Sequence, residues 1–178
     1  MPAPRGCRYT QEMGLFSFLW KETFLLRAFG LSKIPLLYAC LPRVTVFNEN
    51  ECAVEIALNR RTRNHLGSMY FGALCIGADC AGGLMAYRLI EQEGPKVRKK
   101  VTLVFKDFEA KFLKRATGDV EFRCQQGPEI SQFVARVLSG DERMEMPVRV
   151  IARVPRSQTP EEPVAEFKLT LSLKGHSV

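Results

Sequence analysis

A chain of 178 residues with 46% hydrophobic and 25% charged content fits one globular domain that can bury a sizeable core without staples. Its six cysteines, Cys7, Cys40, Cys52, Cys75, Cys80 and Cys124, form no C-x-x-C pair and no ligand spacing with His65 or His176. That excludes a metal site of the usual kinds and reads as reduced thiols in a cytoplasmic protein. The net charge of +7 gathers at Arg60, Arg61 and Arg63 and again at Lys96, Arg98, Lys99 and Lys100. No helix-turn-helix, zinc-finger or aromatic-plus-basic pattern accompanies these clusters, which argues against nucleic acid. They suit a solvated surface, a phosphate-bearing small ligand or an acidic carrier protein.

Residues 1–13 read as a loose basic leader with two prolines. The apolar run that follows is interrupted by Lys21, Glu22, Arg27 and Lys33, so no window reaches the roughly 20 apolar residues of a membrane span. Nor does it carry a signal-peptide cleavage pattern. It predicts an amphipathic helix over about residues 14–29 and a short helical turn near Pro35. The expected division is an N-terminal helical extension, residues 1–42, packed on a domain of residues 43–178.

From Arg43 the period changes to two. Val44 and Val46, then Cys52, Val54, Ile56 and Leu58, predict two short strands around a turn at residues 48–50. Within the stretch from Asn64 to Tyr87, NHLGSMYFGALCIGADCAGGLMAY, the segment from Phe71 to Tyr87 is too apolar on every side for a surface helix and too long for one strand. It predicts a buried helix. Gly72, Gly77, Gly82 and Gly83 each cost such a helix roughly 1 kcal/mol relative to alanine, which implies close approach by sheet or ligand. Asp79 falls in its middle, where a carboxylate must find partners or have its pKa raised. It is either a general base or a structural acid held in a hydrogen-bond network.

After a loop at EQEGPK come strands through Val101, Leu103 and Phe105 and through Val120, Phe122 and Cys124. A helix follows with Pro128 at its start, Ile130, Phe133, Val134 and Val137 on one face and Gly140 at its end. Two more strands run through Val148 to Val154 and Ala165 to Leu173. This order is α+β, an antiparallel sheet, polar on one face, wrapped around one long buried helix.

That order, with NHLGSMYFGAL and the acid in GADCAGG, resembles the hotdog-fold acyl-CoA thioesterases of the phenylacetate-pathway type and the short single-domain DUF4442-like group. In those enzymes an asparagine opens a loop, a His-Gly-Gly turn starts the helix, and an acid follows along it. Here Asn64 matches the asparagine, Gly72 the second glycine and Asp79 the acid. Tyr70 replaces the histidine and Phe71 the first glycine.

The resemblance implies hydrolysis of an acyl-CoA or acyl-carrier thioester by a homodimer or a dimer of dimers. Coenzyme A enters as part of the substrate, with no separate cofactor and no metal. The Phe71 and Gly72 amides would hold the oxyanion, Asp79 of the facing subunit would activate water or attack directly, and Asn64 would orient it. Expected substrate contacts are Tyr70 as a pocket wall, His65, Gly67 and Ser68 of the loop, and Arg63 and Lys99 of the basic clusters. His65 is either a direct participant or a loop-fixing hydrogen-bond group. Two rival readings stand beside this one. The first is a non-catalytic acyl-thioester-binding or regulatory domain, which the lack of a DNA-binding pattern disfavours. The second is a hydratase or dehydratase, for which the family's histidine is missing.

Overall fold

The computed structural model describes residues 6–177, with side chains described from residue 17 onward. Helix α1 spans Gly6–Lys33, longer than the amphipathic pattern predicts. Residues 6–13 are therefore helix and not a loose leader, because no proline follows Pro4 to break it. Helix α2, Pro35–Ala39, starts at the predicted proline and folds back on α1. At Gly30 a Cβ would lie 2.8 Å from the Leu37 side chain, so glycine lets the two helices touch.

The extension is tied to the sheet by polar bonds as well as by apolar packing. Arg27 donates from Nε to the Pro42 carbonyl at 2.9 Å and from Nη2 to the Leu41 carbonyl at 3.0 Å. The buried Thr23 hydroxyl accepts from the Val44 amide at 3.0 Å.

Strand β1, Arg43–Phe47, and strand β2, Cys52–Ile56, form a hairpin where the alternation predicts one. The Asn48 Oδ1 accepts from the Asn50 and Glu51 amides and closes the turn. Helix α3 then spans Phe71–Glu93, and the expected loop at EQEGPK is its last turn followed by a 3₁₀ turn at Pro95–Val97. Strands β3, Lys99–Phe112, and β4, Val120–Cys124, precede helix α4, Gly127–Leu138. Strands β5, Arg143–Arg153, and β6, Pro163–Ser177, complete the chain.

The six strands form one antiparallel sheet in the order β1-β2-β4-β5-β6-β3, curled around α3. Ala78 and Ala81 of α3 and Phe122, Val150 and Leu169 of the sheet are fully buried between them. A Cβ on Gly77 would sit 2.2 Å from the Phe122 ring, so glycine at 77 lets the sheet close on the helix.

Strand β3 lies on the sheet edge and is long enough to outreach β4 and β5. Its alternation breaks at a bulge between Phe105 and Asp107. Past the bulge, Phe108, Ala110 and Phe112 stand opposite Leu169, Phe167 and Ala165, on the same inner face as Phe105 opposite Leu171. Phe108 and Phe112 remain exposed there, as do Tyr70 and Phe71 at the start of α3. The rings form a chain, with Tyr70–Phe71, Phe71–Phe112 and Phe112–Phe167 centroids 4.7, 6.4 and 6.1 Å apart.

Candidate active site

The loop before α3 is built by its own side chains. Asn64 Oδ1 accepts from the Leu66 amide at 2.9 Å and the Ser68 amide at 3.2 Å, while Asn64 Nδ2 donates to the Ser68 hydroxyl at 3.1 Å. Gly67 takes φ +77°, a conformation that other residues adopt only with strain. Asn64 and Ser68 thus shape the loop; His65 and Leu66 at its tip are exposed. Arg115, which no sequence pattern singles out, donates to the Leu66 carbonyl at 2.6 Å and pins the tip. The Tyr70 amide donates to the Thr62 carbonyl at 2.7 Å, which fixes where α3 begins.

Tyr70 is the N-cap residue and offers no side-chain cap. Its carbonyl accepts from the Ala73 and Leu74 amides at 3.0 and 3.1 Å. Among the described residues the Phe71 and Gly72 amides have no hydrogen-bond partner. Two free donors at the positive end of a 23-residue helix are suited to an anion or a developing oxyanion. The Tyr70 ring folds over Gly72, where a Cβ would lie 2.6 Å from it, so only glycine admits this packing.

Asp79 lies two turns further along α3, half-buried, with no hydrogen-bond or ion-pair partner among the described residues. Burial alone pushes its pKa up to about 6. It opens on an apolar cavity of about 320 Å³ bounded by α1, α2, α3 and the first half of β3. Leu25, Phe29 and Leu37 reach this cavity from the extension, and no sequence pattern marked them because they lie far from Asp79 in the chain.

The eight helical steps from Phe71 to Asp79 span about 12 Å at 1.5 Å per residue. The two free amides and the carboxylate of one chain therefore do not meet at a single atom. The two basic clusters separate as well. Arg63 is bridged to Met69 beside the start of α3, whereas Lys99 lies just past its other end, about 35 Å away by the same rise. Lys99 is engaged there, its Nζ 2.6 Å from Asp141 and 3.0 Å from the Gly140 carbonyl. Within one chain Lys99 and Arg63, both expected at the ligand, therefore stand a helix length apart.

Domain of unknown function (DUF4442) matches residues 23–172. The chain belongs to the DUF4442 family. Among curated proteins none matches its sequence. Several solved structures share the fold of this DUF4442 chain. A protein of unknown function from Chlorobaculum tepidum superposes with a TM-score of 0.70 at 14% identity, covering 85% of this chain and 93% of its own. A protein of unknown function from Pseudomonas aeruginosa, described as a "probable thioesterase", gives 0.66 at 22%, covering 86% and 96%. Thioesterase HI1161 from Haemophilus influenzae gives 0.56 at 17%, covering 77% and 80%. With the curled sheet around α3, these likenesses identify the fold of this DUF4442 protein as the hotdog fold of thioesterase-like proteins.

Proposed function

We infer that this chain hydrolyses an acyl thioester, carried by coenzyme A or by a carrier protein, as a symmetric dimer. The observation that carries the reading is the presence of two amides, Phe71 and Gly72, and of Asp79, all without partners among the described residues, with the Asp79 pKa raised to about 6. A carboxylate near that value is a base at neutral pH and can pass the proton on.

Hydrogen-bond reach is about 3 Å, so the 12 Å between the amides and Asp79 of one chain requires the acid to come from a second copy. The long edge strand β3, with Phe108 and Phe112 exposed on its inner face, is the surface on which a second copy would pair. In that arrangement the thioester oxygen accepts from the Phe71 and Gly72 amides of one subunit. Asp79 of the other takes a proton from water as its oxygen bonds to the carbonyl carbon. The tetrahedral intermediate then breaks the C–S bond, and the proton returns to the leaving thiolate. Asn64 contributes by holding the loop that delivers Phe71, and His65, Gly67 and Ser68 share that loop. Tyr70 walls the site, and Arg60, Arg61 and Arg63 supply positive charge beside it for a phosphate-bearing carrier.

The Tyr70 ring over Gly72 favours the second reading, a domain that binds acyl thioesters without cleaving them. Turnover decides between the two. Release of free thiol from acyl-CoA substrates, with Asp79→Asn slower by about 10² or more at unchanged fold, supports the hydrolase. Binding without turnover for every acyl group supports the binding domain.

A further inference from the structure

The cavity that Asp79 opens on continues beyond it. From Asp79 it follows Gly83 and Tyr87 along one face of α3. Opposite that face stand Leu25 and Phe29 of α1 and Leu37 of α2, and Leu103 and Phe105 of β3 close the side. Gly83, one turn past the acid, leaves the helix backbone bare towards the cavity; a Cβ there would come within 3.2 Å of the Phe105 ring. At the far end the Phe29 and Tyr87 rings lie 5.1 Å apart at 51°, joining the extension to α3.

This shape has one carboxylate at its start, mainly apolar walls along its length, and at its end an aromatic pair beside Arg88, whose charge is paired with Glu22. We propose that the α1–α2 extension forms the outer wall of an acyl-chain channel, which runs from Asp79 to the Phe29–Tyr87 pair and takes straight chains of medium length. The assignment rests on the hydrolase reading for the position of the thioester carbonyl at Asp79, and goes beyond it in naming the acyl group and the residues that measure it.

The length follows from geometry. Asp79 and Tyr87 are eight helical steps apart, about 12 Å at 1.5 Å per residue. A zigzag alkyl chain with bonds of about 1.5 Å advances about 1.25 Å per carbon, which gives about eight to ten carbons before the rings. A branched or aryl group would meet the Phe105 ring, which stands across from Gly83. Longer chains would have to part Phe29 from Tyr87.

The test measures kcat/KM for straight-chain acyl-CoAs from about four to sixteen carbons with the whole protein. The expected profile peaks near eight to ten carbons and falls about tenfold or more by sixteen, since each misplaced methylene in an apolar pocket is discriminated against. Phe29→Ala should open the end and move the peak longer by about two to four carbons, and Leu25→Phe should move it shorter. The second variant fills space and does not depend on the first one folding. Calorimetric titration of Asp79→Asn with decanoyl-CoA and hexadecanoyl-CoA reads the same preference without turnover. Preference for the ten-carbon chain there, narrowed when Phe29→Ala is added, supports the channel even where wild type hydrolyses nothing, an outcome that defeats the hydrolase alone. A chain-length profile that neither Phe29→Ala nor Leu25→Phe moves, or equal affinity for both thioesters, overturns the channel.

Discussion

Arg88 of α3 reaches Glu22 of α1, placing its Nε 2.8 Å from one carboxylate oxygen and its Nη2 3.1 Å from the other. Glu22 is fully buried, so this pair, 66 residues apart in sequence, fixes the extension over the cavity with both charges largely out of water. Removing one partner strands the other. Glu22→Gln or Arg88→Met alone should cost about 3–5 kcal/mol in urea unfolding, and the double change Glu22→Leu with Arg88→Met should recover most of it. Single and double variants of equal stability would show that the pair does not hold the extension.

A site shared between subunits can be rebuilt from two defective chains. Phe71→Pro removes one of the two amides at a position that tolerates proline, because Tyr70 before it has φ −66° and ψ 138° and proline suits the first helical turn. Mixed with Asp79→Asn after unfolding and refolding together, it should restore about one quarter of wild-type activity, from the one intact site in each mixed dimer. Each variant refolded alone should stay near background. Recovery no greater than the sum of the two alone would confine the site to one chain.

The raised pKa of Asp79 sets a pH profile. As a base it works only when ionised, so kcat/KM should climb as pH rises through about 6 and level off above it. In Asp79→Asn the residual rate should lose that inflection. A wild-type profile flat from pH 5 to 8 would remove Asp79 from the proton transfer.

Stability should run the other way. The Asp79 pKa is about 6 in the fold against 3.8 for the free side chain, so the folded state binds more protons in that interval. The resulting stabilisation is complete below about pH 3.8 and is lost as pH rises through about 6. Above that, the fold carries a buried charge with no partner among the described residues. Asp79→Asn should therefore be the more stable protein at pH 8, by about 1–3 kcal/mol, with the difference closing at pH 4. A variant less stable than wild type at pH 8 would mark Asp79 as a structural acid.

The sequence by itself determined the elements and the helix at the centre. The period-two runs and the all-round apolarity of residues 71–87 follow from which side chains must leave water, and a local pattern records that directly. Asp79 stood out for the same reason, as a charge where the pattern has no place for one. Other features depend on residues distant in the chain, and there the sequence was silent or pointed elsewhere. Nothing local separates Lys99 from Arg63 by a helix length; that comes from the direction of α3. The β3 bulge, which turns Phe108 and Phe112 inward, is a matter of register against β6. Asn64 is expected from the resemblance to orient water or the acid, and its bonds to Ser68 and Leu66, which hold the loop, are visible only in the structure. Only the tertiary structure brought Phe29 and Leu37 over Asp79, because burial of one helix face against another is decided by the whole packed core and not by neighbours in sequence.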